Sequence, residues 1–306
     1  MTKSLRPALL SCALLLSLCG AAFGVEGKAP AGPDVDLAYG AYQRGDYVVA
    51  LAEAQKRLAT NPNDTAALTL IGQLYADGAG VARDQKKALQ FYQRAADAGG
   101  KDAAFRYGAA ALLGKDMPQD RNAARSYLEK AAMLEHPAAL HLLGEMALEN
   151  NGGEPDFEKA IGYFRRAAAH GVAESEYALA LLYKNGKGVA KDDKQAATWL
   201  KRAADHGHEP AMVEFAIARF NGKGVERDSA GAVQLFRRAA QAGNVVAQNR
   251  LAHLLAEGLG VEKNLTEAAQ WNAKARAAGL ADPALDALLG APAALPAKTS
   301  APTIRP

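Results

Sequence analysis

Cysteine is scarce: the 306 residues include two, Cys12 and Cys19, both near the N-terminus. Long apolar runs are missing as well. The longest, Ala8 to Cys19, has 12 residues, whereas a membrane-spanning helix needs about 20. No charge dominates either, with 36 Lys and Arg against 33 Asp and Glu. The run length excludes an integral membrane protein and points to no direct membrane insertion. The even, interspersed charge argues against nucleic acid and against a polybasic membrane anchor.

The short run has a meaning of its own. Lys3 and Arg6 precede it, and small residues follow it through the Ala22-Phe23-Gly24 triplet. That is the layout of a secretory signal peptide, so residues 1–24 are expected to be removed and the mature protein to sit in the periplasm. Both cysteines leave with the signal. Disulfides, cysteine-ligated zinc, iron–sulfur clusters and thiol nucleophiles are then excluded, and no cofactor is expected. Leu18 stands directly before Cys19, where lipoprotein signals carry a small residue, so soluble export is the expectation.

What the chain does contain is a repeat of 36 residues that runs six times without an insertion. Arg94, Lys130, Arg166, Arg202, Arg238 and Lys274 are spaced by it, and each is followed by alanine. A second pure alanine column reads Ala88, Ala124, Ala160, Ala196, Ala232 and Ala268. Four residues before it stand Asp84, Asp120, Asp156, Asp192, Asp228 and Asn264. Their side chains suit the N-cap of a second helix, accepting from orphan backbone N–H groups. The column Gly78, Gly114, Asn150, Gly186, Gly222 and Gly258 suits the left-handed end of a first helix.

Apolar columns complete the pair. Ile71, Tyr107, Leu143, Leu179, Phe215 and Leu251 lie on the first helix, and Phe91, Tyr127, Tyr163, Trp199, Leu235 and Trp271 on the second. The column Gly72, Gly108, Gly144, Ala180, Ala216 and Ala252 is always small, allowing close approach while large side chains fill the space between pairs. One hairpin buries too little to fold alone, so stability must come from stacking.

This pattern resembles the Sel1-like repeat, a relative of the tetratricopeptide repeat with a Gly-x-Gly-Val link between its helices. The link is intact at Gly78-Ala79-Gly80-Val81, Gly186-Lys187-Gly188-Val189, Gly222-Lys223-Gly224-Val225 and Gly258-Leu259-Gly260-Val261. Gly114-Lys115-Asp116-Met117 and Asn150-Asn151-Gly152-Gly153 depart from it. The resemblance implies an all-α fold, a right-handed α-solenoid of six helix pairs over residues 66–280. Residues 25–35 read as a linker. Residues 36–65, with Ala41-Tyr42-Gln43-Arg44-Gly45-Asp46-Tyr47, look like a tetratricopeptide hairpin that caps the N-terminal end. Residues 281–289 read as a closing helix, and the Ala/Pro/Thr-rich residues 290–306 as a disordered tail.

Catalytic signatures fail one by one. There is no Gly-x-Ser-x-Gly elbow and no His-Glu-x-x-His pair. The Gly-x-Gly links lack the strand and third glycine of a dinucleotide site. His206-Gly207-His208 brings two histidines together without carboxylates at helical spacing, which suits turn histidines better than a metal site. What remains is surface. The period places Thr69, Gln73, Phe105, His141, Glu145, Tyr177, Lys184, Phe220, Asn249 and His253 on the exposed inner side of the first helices. Phe105, Tyr177 and Phe220 suit either binding anchors or packing between neighbouring first helices.

A narrower resemblance lies near the end of the array. Residues 243–252, then Ala277-Ala278-Gly279-Leu280 and Asp282-Pro283, are similar to the ExoR-like periplasmic exopolysaccharide regulators of rhizobia, as is the Ala41-Tyr42 to Tyr47 hairpin. The low-complexity tail is a departure from that pattern. The resemblance implies a non-enzymatic regulator that binds the periplasmic domain of a membrane sensor histidine kinase and holds it inactive. Exopolysaccharide synthesis is thereby restrained, and removal of the inhibitor releases the kinase. An envelope or polysaccharide-export scaffold is the alternative. A hydrolase, as some cysteine-rich Sel1 proteins have been taken to be, fits poorly with a thiol-free mature chain.

Overall fold

The computed structural model describes residues 36–290. The expected signal peptide (1–24), linker (25–35) and tail after residue 290 lie outside the described residues. Fifteen α-helices and no strand occur among the described residues. Helices α1 (Leu37–Gln43) and α2 (Tyr47–Thr60) form an N-terminal hairpin. Six pairs follow. Their first helices are α3 (Thr65–Asp77), α5 (Lys101–Leu113), α7 (Pro137–Glu149), α9 (Ala173–Asn185), α11 (Glu209–Asn221) and α13 (Val245–Glu257). Their second helices are α4 (Gln85–Asp97), α6 (Arg121–Met133), α8 (Phe157–Ala169), α10 (Asp193–Asp205), α12 (Ser229–Gln241) and α14 (Leu265–Ala277). The short α15 (Pro283–Leu288) closes an all-helical α-solenoid.

The repeat columns act as local instructions. Each first helix ends on a left-handed residue, with φ of 71° at Gly78, 66° at Gly114 and 39° at Asn150, the asparagine standing in for glycine. Each second helix begins on a capping side chain that accepts from the first turn, from Asp84 to Lys87 N at 3.0 Å through Asn264 to Glu267 N at 3.0 Å. Such a cap contributes about 1 kcal/mol. The backbone N–H of the same capping residue donates across the link to the first helix, as in Asp84 N to Tyr75 O at 2.9 Å and Asp192 N to Tyr183 O at 3.0 Å. Cap and link are thus fixed together.

The second glycine of the link has a different task. A Cβ at Gly188 would lie 2.3 Å from Phe157 Cβ, and one at Gly224 would lie 1.8 Å from Asp193 O. The link therefore rests directly on the start of the preceding repeat's second helix. Gly80 rests in the same way on Tyr47, so α2 serves the first repeat as a preceding second helix. The second and third links differ. Asp116 takes the glycine's left-handed conformation at φ 64°, and a Cβ on Gly152 would meet nothing within 4 Å.

Packing shows which of two adjacent columns meets the small one. The small column faces the residues next to the aromatic column. A Cβ at Gly72 would lie 2.7 Å from Tyr92, and one at Gly144 would lie 2.5 Å from Phe164. Tyr92, Leu128, Phe164, Leu200 and Phe236 are the deeply buried set, while Phe91, Tyr127, Tyr163, Trp199 and Leu235 are half-buried. The Arg/Lys column lies over the half-buried rings, with Lys130 4.3 Å from Tyr127 and Arg202 4.7 Å from Trp199. The same column reaches back to the previous repeat: Arg202 Nη2 donates to Ala168 O at 2.9 Å, at the negative end of α8.

Candidate protein-binding face

The ten positions singled out from the sequence all fall on first helices. Most of their side chains join one repeat to the next. Phe105 stacks on His136 with centroids 4.3 Å apart, and Tyr177 lies 4.5 Å from His208. Phe220 packs on the C-terminal core cluster. Each of the three rings therefore has a packing contact, and all three remain half-buried. Lys184 pairs with Glu214 at 2.6 Å, joining α9 to α11. Asn249 and His253 both bond Asp282, at 3.0 and 2.8 Å, and so fasten the N-cap of α15 to α13. Thr69 donates to its own helix at Thr65 O, while Gln73 bonds Asp77 and Tyr92.

His141 is buried, its Nδ1 2.9 Å from Ser175 Oγ and its Nε2 3.5 Å from Glu145. The order Ser–His–Glu imitates a catalytic triad. Ser175 is 0% exposed, however, so its hydroxyl is sealed from any substrate and serves the α7–α9 contact.

Two further histidines carry signals that sequence reasoning passed over. His136 and His208 are N-caps of α7 and α11: their Nδ1 atoms accept from Ala139 N at 3.2 Å and Ala211 N at 3.1 Å. An accepting Nδ1 requires the neutral ring. Burial favours that form, pushing His136 down to about 4 and lowering His208 as well. Both stand directly before a helix whose first turn contains proline, a start signal that was available in the sequence. His206 turns elsewhere, to a 2.7 Å bond with Glu176, which is fully buried and also lies 2.9 Å from Arg202. No group of three or more metal-ligating side chains occurs among the described residues.

Between the fourth and fifth repeats, α10 and α11 border a cleft of about 300 Å³, with Lys184 of α9 and Lys223 of the link at its edge. Ala196, Ala197, Leu200 and Ile217 line its apolar part. Ala197 occupies the column that holds Ile161 and Val233 in the flanking repeats, both buried, so the gap reflects a missing filler. The Lys184–Glu214 pair borders it, and so do Lys223 and Asp193, which lie 3.5 Å apart.

Comparison with known proteins agrees with this architecture. The Sel1 repeat family matches residues 65–100, 101–136, 137–172, 173–208, 211–244 and 245–280. A Sel1 repeat protein from Oxalobacter formigenes superposes with a TM-score of 0.65 at 29% identity, covering 78% of this chain and 94% of that one. A protective antigen of uropathogenic Escherichia coli with an SLR fold gives a TM-score of 0.54 at 24% identity, covering 83% of this chain and 62% of its own, a likeness of fold alone. No curated protein matches the chain. With six consecutive matches over the stacked pairs, the chain belongs to the Sel1 repeat family.

Proposed function

We propose that the mature protein acts in the periplasm as a protein-binding regulator without catalytic activity. Its partner is the sensor part of a membrane histidine kinase, which it holds inactive, so that exopolysaccharide synthesis is restrained. Sel1 repeat proteins generally mediate protein–protein interactions. The observation that carries the binding role to this chain is the unfilled cleft between α10 and α11, bordered by the Lys184–Glu214 and Lys223–Asp193 ion pairs. The kinase and the periplasm rest on the signal-peptide layout and on the motif resemblance at residues 243–252 and 277–283.

Regulation of this kind needs only a difference in affinity. A partner that binds one state of the kinase shifts its population by that difference and no more. The test is a crosslinking pull-down from periplasm-facing membranes. Recovery of a sensor kinase supports the regulator. Recovery of polysaccharide-export machinery without a kinase replaces it with the scaffold reading.

A further inference from the structure

The deep column of the second helices breaks at its last member. Tyr92, Leu128, Phe164, Leu200 and Phe236 are followed, at the same spacing, by Asn272, which is 3% exposed. Its Nδ2 donates to Asp286 of α15 at 2.7 Å, while its Oδ1 is buried without a partner, so α15 does not saturate it. At the end of the array a polar joint thus replaces the apolar one.

The groove that holds α15 is built from two pairs of donors, each pair four residues apart and so on one helix face. Asn249 and His253 of α13 bond Asp282 Oδ2, at 3.0 and 2.8 Å. Asn272 and Arg276 of α14 bond Asp286 Oδ1, at 2.7 and 3.2 Å. The two carboxylates are themselves one helical turn apart, and Leu285 between them is 0% exposed. The groove therefore reads a defined segment: an acidic N-cap, a leucine three residues on and a second carboxylate directly after it.

Two features make that segment exchangeable. Helix α15 has six residues, too few to persist without its contacts. When it leaves, the amides and the guanidinium regain hydrogen bonds to water, whereas a Leu or Phe in the deep column would be stripped of its cover. We infer that α15 holds the place of a partner helix. The groove on α13 and α14 receives a partner segment whose acidic N-cap, leucine and following carboxylate take the positions of Asp282, Leu285 and Asp286. Helix α15 then swings out on the turn at Gly279, which has φ 93° and no neighbour within 4 Å of a Cβ. The inference rests on the protein-binding reading above and adds the chemistry of the bound segment and the contact that masks its site.

The test uses the full mature chain and a labelled, capped peptide with the sequence of residues 282–289, read by fluorescence anisotropy. Asp282→Ala combined with Asp286→Ala frees the groove from α15 and keeps its four donors. This variant is expected to bind the peptide at about 0.1–1 mM. The wild type should bind about tenfold more weakly, because α15 already fills the groove. Adding Arg276→Ala to the variant, or placing asparagine at both acidic positions of the peptide, should weaken binding about tenfold, the scale of a charged hydrogen bond. Equal binding to wild type and variant, indifference to both changes, or no binding at all would overturn the inference. Should the variant lose its helical circular dichroism, the wild type decides: excess native peptide, but not the asparagine peptide, must remove exchange protection from the Leu285 amide. Self-association of the wild type that disappears with Asp282→Ala would make a second copy's α15 the occupant and overturn the inference too. If the peptide fails while the pull-down recovers a kinase, this inference falls and the regulatory reading stands; peptide binding without a kinase reverses that outcome.

Discussion

Acidification from pH 7 to pH 5 should weaken the third repeat through one ring, His136. Its Nδ1 caps α7 by accepting from Ala139 N, its face lies on Phe105, and its side chain is 14% exposed. Burial pushes its pKa from 6.5 to about 4, outweighing the opposing pull of Asp102 at 3.6 Å. A proton added at Nδ1 also removes the cap. The unfolded chain takes up this proton near pH 6.5, and the folded chain resists it until about pH 4. The contribution is therefore fully present above pH 6.5 and is lost as pH falls from there toward 4. Between pH 7 and pH 5 the loss amounts to about 2 kcal/mol. The comparison is with His136→Asn, which keeps an accepting cap but does not titrate in this range. Denaturant midpoints of both proteins at the two pH values isolate the ring, because every other titrating group is shared. The wild type should lose about 2 kcal/mol that the variant keeps. Equal pH sensitivity in the two proteins would refute the argument.

Overpacking should separate two members of one alanine column. Ala232→Leu, at a site with 0% exposure, should cost about 1–3 kcal/mol, whereas Ala196→Leu can extend into the cleft and should cost less; equal denaturant midpoints would show that the gap closes in solution. Tyr177→Ala should lower the stability of the fourth-to-fifth junction, read as faster amide exchange in the first turn of α11, because it uncovers His208. Asp282 is held well below the usual carboxylate range by Asn249, His253 and the Leu285 N–H, so Asp282→Ala should release α15 and remove exchange protection at Leu285. Intact mass of the exported protein should show loss of residues 1–24 and no acyl chain; a retained Cys19 would defeat that expectation.

Most of the solenoid was legible because its instructions recur at one spacing. A single Asp84 might cap anything, but six capping residues in register with six left-handed ends leave one arrangement. Adjacent columns were harder to rank. Phe91 and Tyr92 are both large and differ by one helical step, and only the contact at Gly72 shows that Tyr92 is the deep one. The ten candidate positions were placed on first helices by periodicity, yet periodicity cannot show that His141 meets Ser175 or that Asn249 meets Asp282. Those contacts join residues 33 or 34 positions apart, a repeat away, and depend on side-chain reach. The cleft arises from what Ala197 lacks, which becomes visible only beside Ile161 and Val233.

The resting of each link on the preceding repeat sets how the array yields to load. Where Gly188, Gly224 and Gly260 touch the second helix before them, neighbouring pairs are braced at a point far from the helix–helix core. At Asp116 a side chain replaces that glycine, and a Cβ on Gly152 would meet nothing within 4 Å. The third link thus lacks the contact that Gly188, Gly224 and Gly260 make with the preceding second helix. Bending and torsion should concentrate at that junction between the second and third repeats, leaving the braced fourth to sixth repeats as the stiffer arm. A partner seated in the cleft would then ride on the rigid arm, while the N-terminal hairpin samples a range of directions relative to it.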